Sequence, residues 1–491
     1  MPMFAVCREL IARGHQATFV LNDPKGELAP DMPGIKRIAY GDGFNERHDS
    51  RKRIEELFVN FDYIDLDALA GNFYKVVYAD YTEKLAMYTR LMSDAEGVAT
   101  VDVALCDFID PACVDAARRL HIPYAVFTLS VDYDAPTSMT RAGYIRTSYL
   151  PYRAGTLRAS MEHAPFYERV YNTIYAPIRT RIKTWSGLGE QAAALAQAGV
   201  PHYSSLTANH KHGLVIVYTF SGFELPRLLP PNVFYAGPLL EDKYPGLSAE
   251  LTQFLEPRSR VLYVGFGGLT PLSSAYFELL VRALLAAHRA QLIDGVVWGL
   301  MLTDASRMPS VIEEDQLSLP LGAANSSSSS SNTTTHLLSD MLDGKHPFIR
   351  ILKRAPQRAL LEHPSVRAFI SHCGLTSLHE TMLAGKPAVC IPGFGDQPMN
   401  AYRLEYLGAG ERIFWWEASV KVILEKLARL LEGEAAESAR LAMARLGEMA
   451  RLASGRTPMA ADMVEMAAIP GVLPLLQPAE HRMPWWRVAL R

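Results

Sequence analysis

The sequence predicts an α/β protein of two domains, each built on a parallel sheet with helices on its faces. Three observations predict it. The chain has 491 residues, 49% hydrophobic and 21% charged, too long for one ordinary core and suited to two domains of roughly 200 to 250 residues each. A strand, a helix and a second strand follow one another at 101–106, 111–120 and 124–129, the spacing of a βαβ unit. The same alternation starts afresh at residue 260, after a stretch broken by Gly and Pro.

Taken in order, the opening residues read as a helix with apolar Phe4, Val6, Leu10 and Ile11, a turn at Arg13-Gly14-His15 and a short strand from Gln16 to Leu21. A parallel α/β domain normally begins with a strand, whereas this chain begins inside a helix. From 140 to 200 the pattern is helical, irregular and rich in tyrosine, and 213–224 returns to a buried strand. The segment 232–246 carries the Gly/Pro punctuation of an interdomain linker, and the boundary is placed at Asp242. The second half runs strand 260–268, helix 273–289, strands 295–302, 348–352 and 366–371, helix 375–384, strand 387–391 and amphipathic helix over 421–455. The expected division is an N-terminal domain over 1–241, a C-terminal domain over 242–468 and an extension over 469–491. Residues 322–336 include a serine and threonine run that buries too little apolar surface to order itself, so a disordered insertion is expected there.

The net charge of -3, from 49 basic and 52 acidic residues, provides no global field for nucleic acid or an anionic membrane. Any anionic ligand must be met locally. Five cysteines (Cys7, Cys106, Cys113, Cys373 and Cys390) include no CxxC pair, which predicts reduced, buried thiols and argues against a disulfide framework or a thiolate zinc site. No stretch approaches the roughly 18 to 20 apolar residues of a membrane span, and no signal segment opens the chain.

Residues 354–401 are the richest in potential chemistry. A strand ending at Ser371 is followed by His372-Cys373-Gly374 and a helix whose first turn holds Thr376 and Ser377. Glycine permits close backbone approach, and a helix N-terminus offers unpaired amides at a positive dipole end, a combination suited to phosphate. His372 and Ser377 add side-chain donors. Glu380, one turn on, has the acceptors for vicinal ribose hydroxyls, and Asp396-Gln397, on a loop after the next strand, has them for a sugar. On residue types alone the alternatives stay open: His372 as a packed or capping residue, Glu380 as a solvated one, Asp396 as a turn cap.

This segment resembles the donor-binding signature of the UDP-dependent glycosyltransferases that act on small molecules, the plant secondary-product enzymes and animal glucuronosyltransferases among them. The family pattern runs Trp-x-Pro-Gln, then His-Cys-Gly or His-Gly-Gly, Ser, Glu, Gly-x-Pro and Asp-Gln-Pro-x-Asn, and residues 354–400 follow its order and spacing. The resemblance implies a GT-B fold, two Rossmann-like domains facing a cleft, with the donor held by the C-terminal one. Residue by residue, it implies that Gln357 contacts the uridine, that His372, Gly374 and Ser377 bind the diphosphate, that Glu380 holds the ribose and that Asp396 and Gln397 hold the donor sugar. Gly267 and Gly268 resemble the family's glycine turn close to the phosphates. Two positions depart from the pattern. Arg354 stands where the family usually has the Trp that stacks on uracil, and a guanidinium plane also stacks on a base. Thr376 replaces the usual Asn and keeps a hydroxyl.

Transfer of a sugar to a hydroxyl requires a base for the acceptor's proton and electrostatic help for the departing diphosphate. In the resembling family the base is a His after the first N-terminal strand, oriented by an Asp after a later strand. Asp107 matches that Asp, while Asp110, just before Pro111, suits helix capping. The His precedes a Pro whose place is taken by Pro2, so this chain is expected to lack both the first strand and the base. Losing a central strand would leave its neighbours unpaired, which makes a sequence start placed too late the expected cause. His15 matches a different, structural position.

The implied reaction is inverting transfer of a hexose from a UDP-sugar to a hydroxyl of a small apolar acceptor, with no metal and no cofactor beyond the co-substrate. Tyr144, Tyr149, Tyr152, Phe166 and Tyr167 would supply an apolar acceptor surface. The partners expected are that acceptor and a UDP-sugar, with no nucleic acid. Localisation is expected to be cytoplasmic for the chain as written. Membrane association is expected only through an anchor beyond residues 481–491, which resemble the stretch preceding one in animal and some fungal relatives; the alternative is the aromatic end of a helix returning to the N-terminal domain, as in related soluble enzymes. The rival readings are a non-catalytic UDP-sugar-binding protein and a sugar-nucleotide epimerase of the same architecture. An NAD-dependent oxidoreductase is disfavoured because no GxGxxG follows a predicted strand.

Overall fold

A computed structural model describes residues 2–21, 33–39, 71, 74–94, 96–130, 160–203, 209–226, 229–240, 244–268, 270, 272–301, 303–314 and 334–478. The chain divides into two compact units, one of Met1–Arg53, Asp65–Glu241 and Met449–Arg491, the other of Ile54–Ile64 and Asp242–Glu448.

In the first unit, β3 (Ala104–Asp107), β4 (Tyr124–Thr128), β5 (Leu214–Val217) and β6 (Val233–Tyr235) form a parallel sheet in that order. Every residue of β4 and β5 is buried, which is why both read as unbroken apolar runs instead of alternating ones. β1 (Ala17–Leu21) and β2 (Ile35–Ala39) pair with each other as a separate parallel sheet. The helix Pro2–Ala12 carries buried Phe4 and Val6, and Phe4 stacks on Phe19 of β1.

Residues from Met449 onward return to this unit, which corrects the expectation that the second domain runs to 468. The helix Thr457–Ala468 packs on β4, β5 and the first helix through buried Ala460, Ala461, Met463, Val464 and Ala467. Its small side chains let it lie flat on the sheet. Arg13 pins its outer face through Asp462 at 2.6 Å and Glu465 at 2.8 Å, and His15 joins Glu465 at 2.8 Å. Gly237, in the left-handed region at φ 74, faces the Ala453 carbonyl so closely that a Cβ would sit 2.1 Å from it. That approach is open only to glycine.

The second unit holds a six-stranded parallel sheet in the order β11-β8-β7-β12-β13-β14, with ranges Ile349–Leu352, Gly295–Gly299, Val261–Gly265, Val366–Ser371, Ala388–Cys390 and Gly410–Arg412. Counted from β7, this is the 3-2-1-4-5-6 order of a doubly wound nucleotide-binding domain, reversing direction between β7 and β12. The helix Ser274–Arg289 follows β7. Ser273 caps it through the Tyr276 amide, and eight of its residues are buried.

Three expectations change here. The linker 232–246 contains β6, because Val233-Phe234-Tyr235 extends the first sheet beside β5. Residues 334–336, placed in the disordered insertion, belong to β10 (Thr334–Leu337), which pairs antiparallel with β9 (Val311–Glu314). β-branched threonines suit a pleated strand once a partner is present. Residues 322–333 lie outside the described residues. Four cysteines are paired, Cys106 with Cys113 and Cys373 with Cys390, their Cα atoms 5.7 and 5.5 Å apart. The absence of a CxxC motif was a poor guide because each pair joins neighbouring elements of a βα layer. Cys7 alone is free, with burial pushing its thiol up to about 11.

Candidate functional site

In a doubly wound sheet the ligand crevice lies at the carboxyl ends of the strands where the order reverses. In this unit those ends are Gly265, closing β7, and Ser371, closing β12, which pair with each other. The turn after β7 contains Gly267 and Gly268, and the turn after β12 contains His372, Cys373 and Gly374. The buried His372 imidazole is held between the two turns, since a Cβ added at either Gly267 or Gly374 would fall 2.6 Å from its Nε2. Gly267 also sits at φ 69, so two constraints require glycine there. Cys373 adopts φ 61, a conformation rare without glycine; the bridge to β13 and the Ser371 Oγ bond to its amide at 3.0 Å hold it. Burial lowers the His372 pKa to about 4, the Gly265 backbone partly offsetting it. The ring is therefore neutral at neutral pH, a hydrogen-bonding group and not a fixed cation.

Gly374 is the N-cap of the helix Leu375–Leu383 and brings no side chain to its amides. Asp396, from the loop after β13, accepts the Leu375 amide at 3.1 Å and the Asn400 Nδ2 at 2.6 Å, and Asn400 Nδ2 also reaches the Cys373 carbonyl at 3.0 Å. A carboxylate at a helix N-terminus is well placed electrostatically, yet burial raises Asp396 to about 6. Near the same helix start, Gln357, which opens the separate helix Gln357–Glu362, joins three groups. Its Nε2 donates to Ser377 Oγ at 3.1 Å and Glu380 Oε2 at 2.6 Å, and its Oε1 accepts from the Tyr263 hydroxyl at 3.2 Å. Burial, chiefly, pushes Glu380 above the ordinary carboxylate range, with Gln357 pulling it partly back.

Gln397 is buried, its Oε1 accepting the Gly393 and Phe394 amides at 2.8 and 3.2 Å and its Nε2 donating to Thr270 Oγ1 at 3.3 Å. It therefore ties the Asp396 loop to the turn beyond Gly268. Thr376 is exposed on the first turn of the helix, and Arg354 is exposed just before Ala355, whose carbonyl takes the Gln357 amide. Apart from Thr376 and Arg354, whose side chains reach the solvent, the sequence-selected residues of this unit thus form one linked constellation. Asn400, Tyr263 and Thr270 were not selected. Asn400 had a signal in the Asp-Gln-Pro-x-Asn spacing; Tyr263 and Thr270 had none, since their role depends on strand pairing.

Asp107 belongs to the first unit, at the end of β3. Its Oδ1 accepts the Ile109 amide at 3.1 Å, and burial raises its pKa to about 6. Asp110 stands at the N-cap of the helix Pro111–Arg119 but makes no side-chain cap bond, and its Oδ2 instead accepts the Tyr88 hydroxyl at 2.6 Å. Capping by the Asp110 side chain is therefore corrected. Among the described residues no group of three His, Cys, Asp or Glu gathers to hold a metal ion.

A doubly wound sheet with amides, hydroxyl and carboxylates gathered at its reversal point defines a nucleotide-binding α/β protein. Residues 1–448 match the family described as "UDP-glucoronosyl and UDP-glucosyl transferase", and the chain belongs to that family. It is 29% identical over 479 residues to UDP-glycosyltransferase stmC of Aspergillus ustus, covering 94% of this chain and 83% of that one. To UDP-glucuronosyltransferase 1-2 of Rattus norvegicus it is 25% identical over 426 residues, covering 84% and 69%. Among solved structures, Os79 from O. sativa in complex with UDP superposes with a TM-score of 0.60 at 17% identity, covering 95% of this chain and 97% of that one. CalG4, the calicheamicin glycosyltransferase, does so at 0.57 and 16%, covering 96% and 95%. The architecture is GT-B, two Rossmann-like domains, and the chain is a UDP-glycosyltransferase.

Proposed function

We propose that the second unit binds a UDP-sugar at the ends of β7 and β12 and that the protein transfers its hexose, with inversion, to a hydroxyl of a small apolar acceptor. Gly267, Gly268, Gly374 and Ser377, with neutral His372, surround the diphosphate at the start of the helix Leu375–Leu383. Glu380 accepts from the ribose hydroxyls, Gln357 and Arg354 meet the uracil, and Asp396 and Gln397 orient the sugar, with Thr376 flanking the phosphates. Asp107 orients the base that takes the acceptor's proton. The observation that carries this reading is the hydrogen-bonded set Gln357, Ser377 and Glu380, one helical turn from a glycine-capped helix start. Carboxylate, hydroxyl and amides are spaced there as a nucleoside diphosphate requires.

A small acceptor is supported by Os79, solved with UDP and deoxynivalenol-3-glucoside. Of the aromatic side chains expected to meet it, Phe166 and Tyr167 are exposed, and Tyr144, Tyr149 and Tyr152 lie outside the described residues. Calorimetric titration of UDP and UDP-glucose into the chain, into Glu380→Ala and into Asp396→Ala, with a product assay in parallel, tests the assignment. Loss of UDP binding in Glu380→Ala, and selective loss of UDP-glucose affinity in Asp396→Ala, is the expected pattern. Equal binding by all three proteins would overturn it.

A further inference from the structure

The helical segment from Phe166 to Gln197 is amphipathic in the wrong sense for a surface helix. As far as Gln191 its buried inward positions are small or polar, namely Asn172, Thr180, Thr184, Gly187 and Gln191, and only at the last turn does a large apolar side chain, Leu195, join the core. Its outward positions are large and apolar. Phe166, Val170, Ile174, Ile178 and Ile182 recur every four residues on the solvent side. Tyr167, Tyr171, Tyr175 and Trp185 lie beside them, with exposures from 37% at Tyr171 to 81% at Phe166. A globular helix places its apolar stripe toward the core, and contiguous apolar surface facing solvent marks an interaction site.

The backbone keeps this ridge straight. In an α-helix, residues four apart drift by about 40° per step, so five residues spaced by four would wind far around the axis. Tyr171–Tyr175 forms a π-turn between the helices Phe166–Val170 and Ala176–Lys183, and its wider i→i+5 turn counters the drift midway. The aromatic pair Tyr171 and Tyr175 stands on this turn with ring centroids 5.0 Å apart.

We propose that this ridge docks on an anionic lipid surface, lying in its plane. Between Phe166 and Trp185 the segment carries Arg169, Arg179, Arg181 and Lys183 against Glu168 alone, so the local charge is strongly positive on a chain whose net charge is -3. Aliphatic side chains to enter the acyl boundary, Tyr and Trp for the headgroup level, and flanking arginine and lysine for anionic lipid are the composition of an interfacial helix. Each cation near such a surface adds to that attraction. A second copy of the chain fits less well, because a two-fold interface would set these like charges against one another. No helix among the described residues is long and apolar enough to cross a membrane; the proposed contact lies in the plane of the interface. It is also separate from the attachment expected of the C-terminal extension.

Co-sedimentation of the full chain with phosphatidylcholine vesicles, with and without phosphatidylserine, tests the proposal. The chain is expected to sediment with the phosphatidylserine vesicles, less so at high salt. Ile174→Glu/Ile178→Glu and Arg181→Glu/Lys183→Glu should each lower binding by about tenfold or more while Tm and UDP affinity hold, since these side chains are exposed. Trp185 gives a second readout: vesicles should shift the tryptophan emission to the blue, and Trp185→Phe should remove most of that shift. A chain left in the supernatant, binding unaffected by either double variant, or self-association that the Ile174→Glu/Ile178→Glu pair abolishes, would overturn it.

Discussion

The junction after β3 in the first unit and the junction after β12 in the second are built from the same parts. Each leads a parallel strand into a helix, each is tied by a cysteine bridge, and at each an aspartate is raised by burial to about 6. At the first, the donors leading into the helix are taken: Asp107 accepts the Ile109 amide with its side chain and the Asp110 amide with its carbonyl, and Pro111 has no N–H. At the second, Gly374 brings no side chain to the helix start, Asp396 takes only the first amide, that of Leu375, and Gly267 opens the facing turn around His372. Proline at one and glycine at the other separate a junction that presents a carboxylate from one proposed to receive an anion.

The widest test of that contrast is to close the second junction. Gly374→Ala places a methyl 2.6 Å from His372 Nε2 and is expected to weaken UDP binding by about 100-fold or more, read by calorimetry. Ile109→Ala at the first junction should leave UDP affinity unchanged. Next in size, Glu380→Ala should cost about tenfold to 100-fold in UDP affinity, whereas Asp107→Ala should leave UDP affinity within about twofold and lower turnover instead. That split assigns binding to one junction and proton handling to the other.

Acidity separates the two aspartates further. Burial lifts both from 3.8 to about 6, so between those values the native state binds their protons more tightly than the unfolded chain. Their contribution to stability is therefore fully present below that window and is lost as pH rises through it. For function the sign reverses, because protonated Asp396 no longer accepts from sugar hydroxyls with both oxygens. UDP-glucose affinity should fall about tenfold from pH 7 to pH 5; the part due to Glu380, also raised by burial, appears in UDP affinity as well, and Asp396→Asn should remove the remainder specific to UDP-glucose in calorimetry at the two pH values. The smallest effect is expected at the exposed positions. Thr376→Asn should change UDP affinity by no more than about threefold, and Arg354→Trp should tighten it by about the same factor through stacking.

Much of the second unit was legible in the sequence, because its strands are buried on both faces and read as apolar runs between glycines. That Ser377 and Glu380 share a face follows from a helical spacing of three, whereas Gln357 reaches both from the separate helix Gln357–Glu362. Less visible were contacts made across the sheet: Tyr263 reaches Gln357 over 94 residues and Thr270 reaches Gln397 over 127, distances at which no local pattern speaks. The cysteine pairs were missed for a different reason: they are only 7 and 17 residues apart, but each joins two successive elements whose packing no CxxC spacing reports. The return of the last helices to the first unit was hidden because Thr457–Ala468 is small and apolar on one face, a pattern that fits either sheet. The inverted stripe at 166–185 looked like ordinary irregular helix, since periodicity reports a stripe and not the side on which it lies.

A crystal structure of the chain grown with UDP tests the central claim most directly. The diphosphate is expected over the amides that open the helix Leu375–Leu383, between Gly267 and Gly374, with the ribose on Glu380. A nucleotide bound anywhere else, or that helix start left empty at saturating UDP, would contradict it.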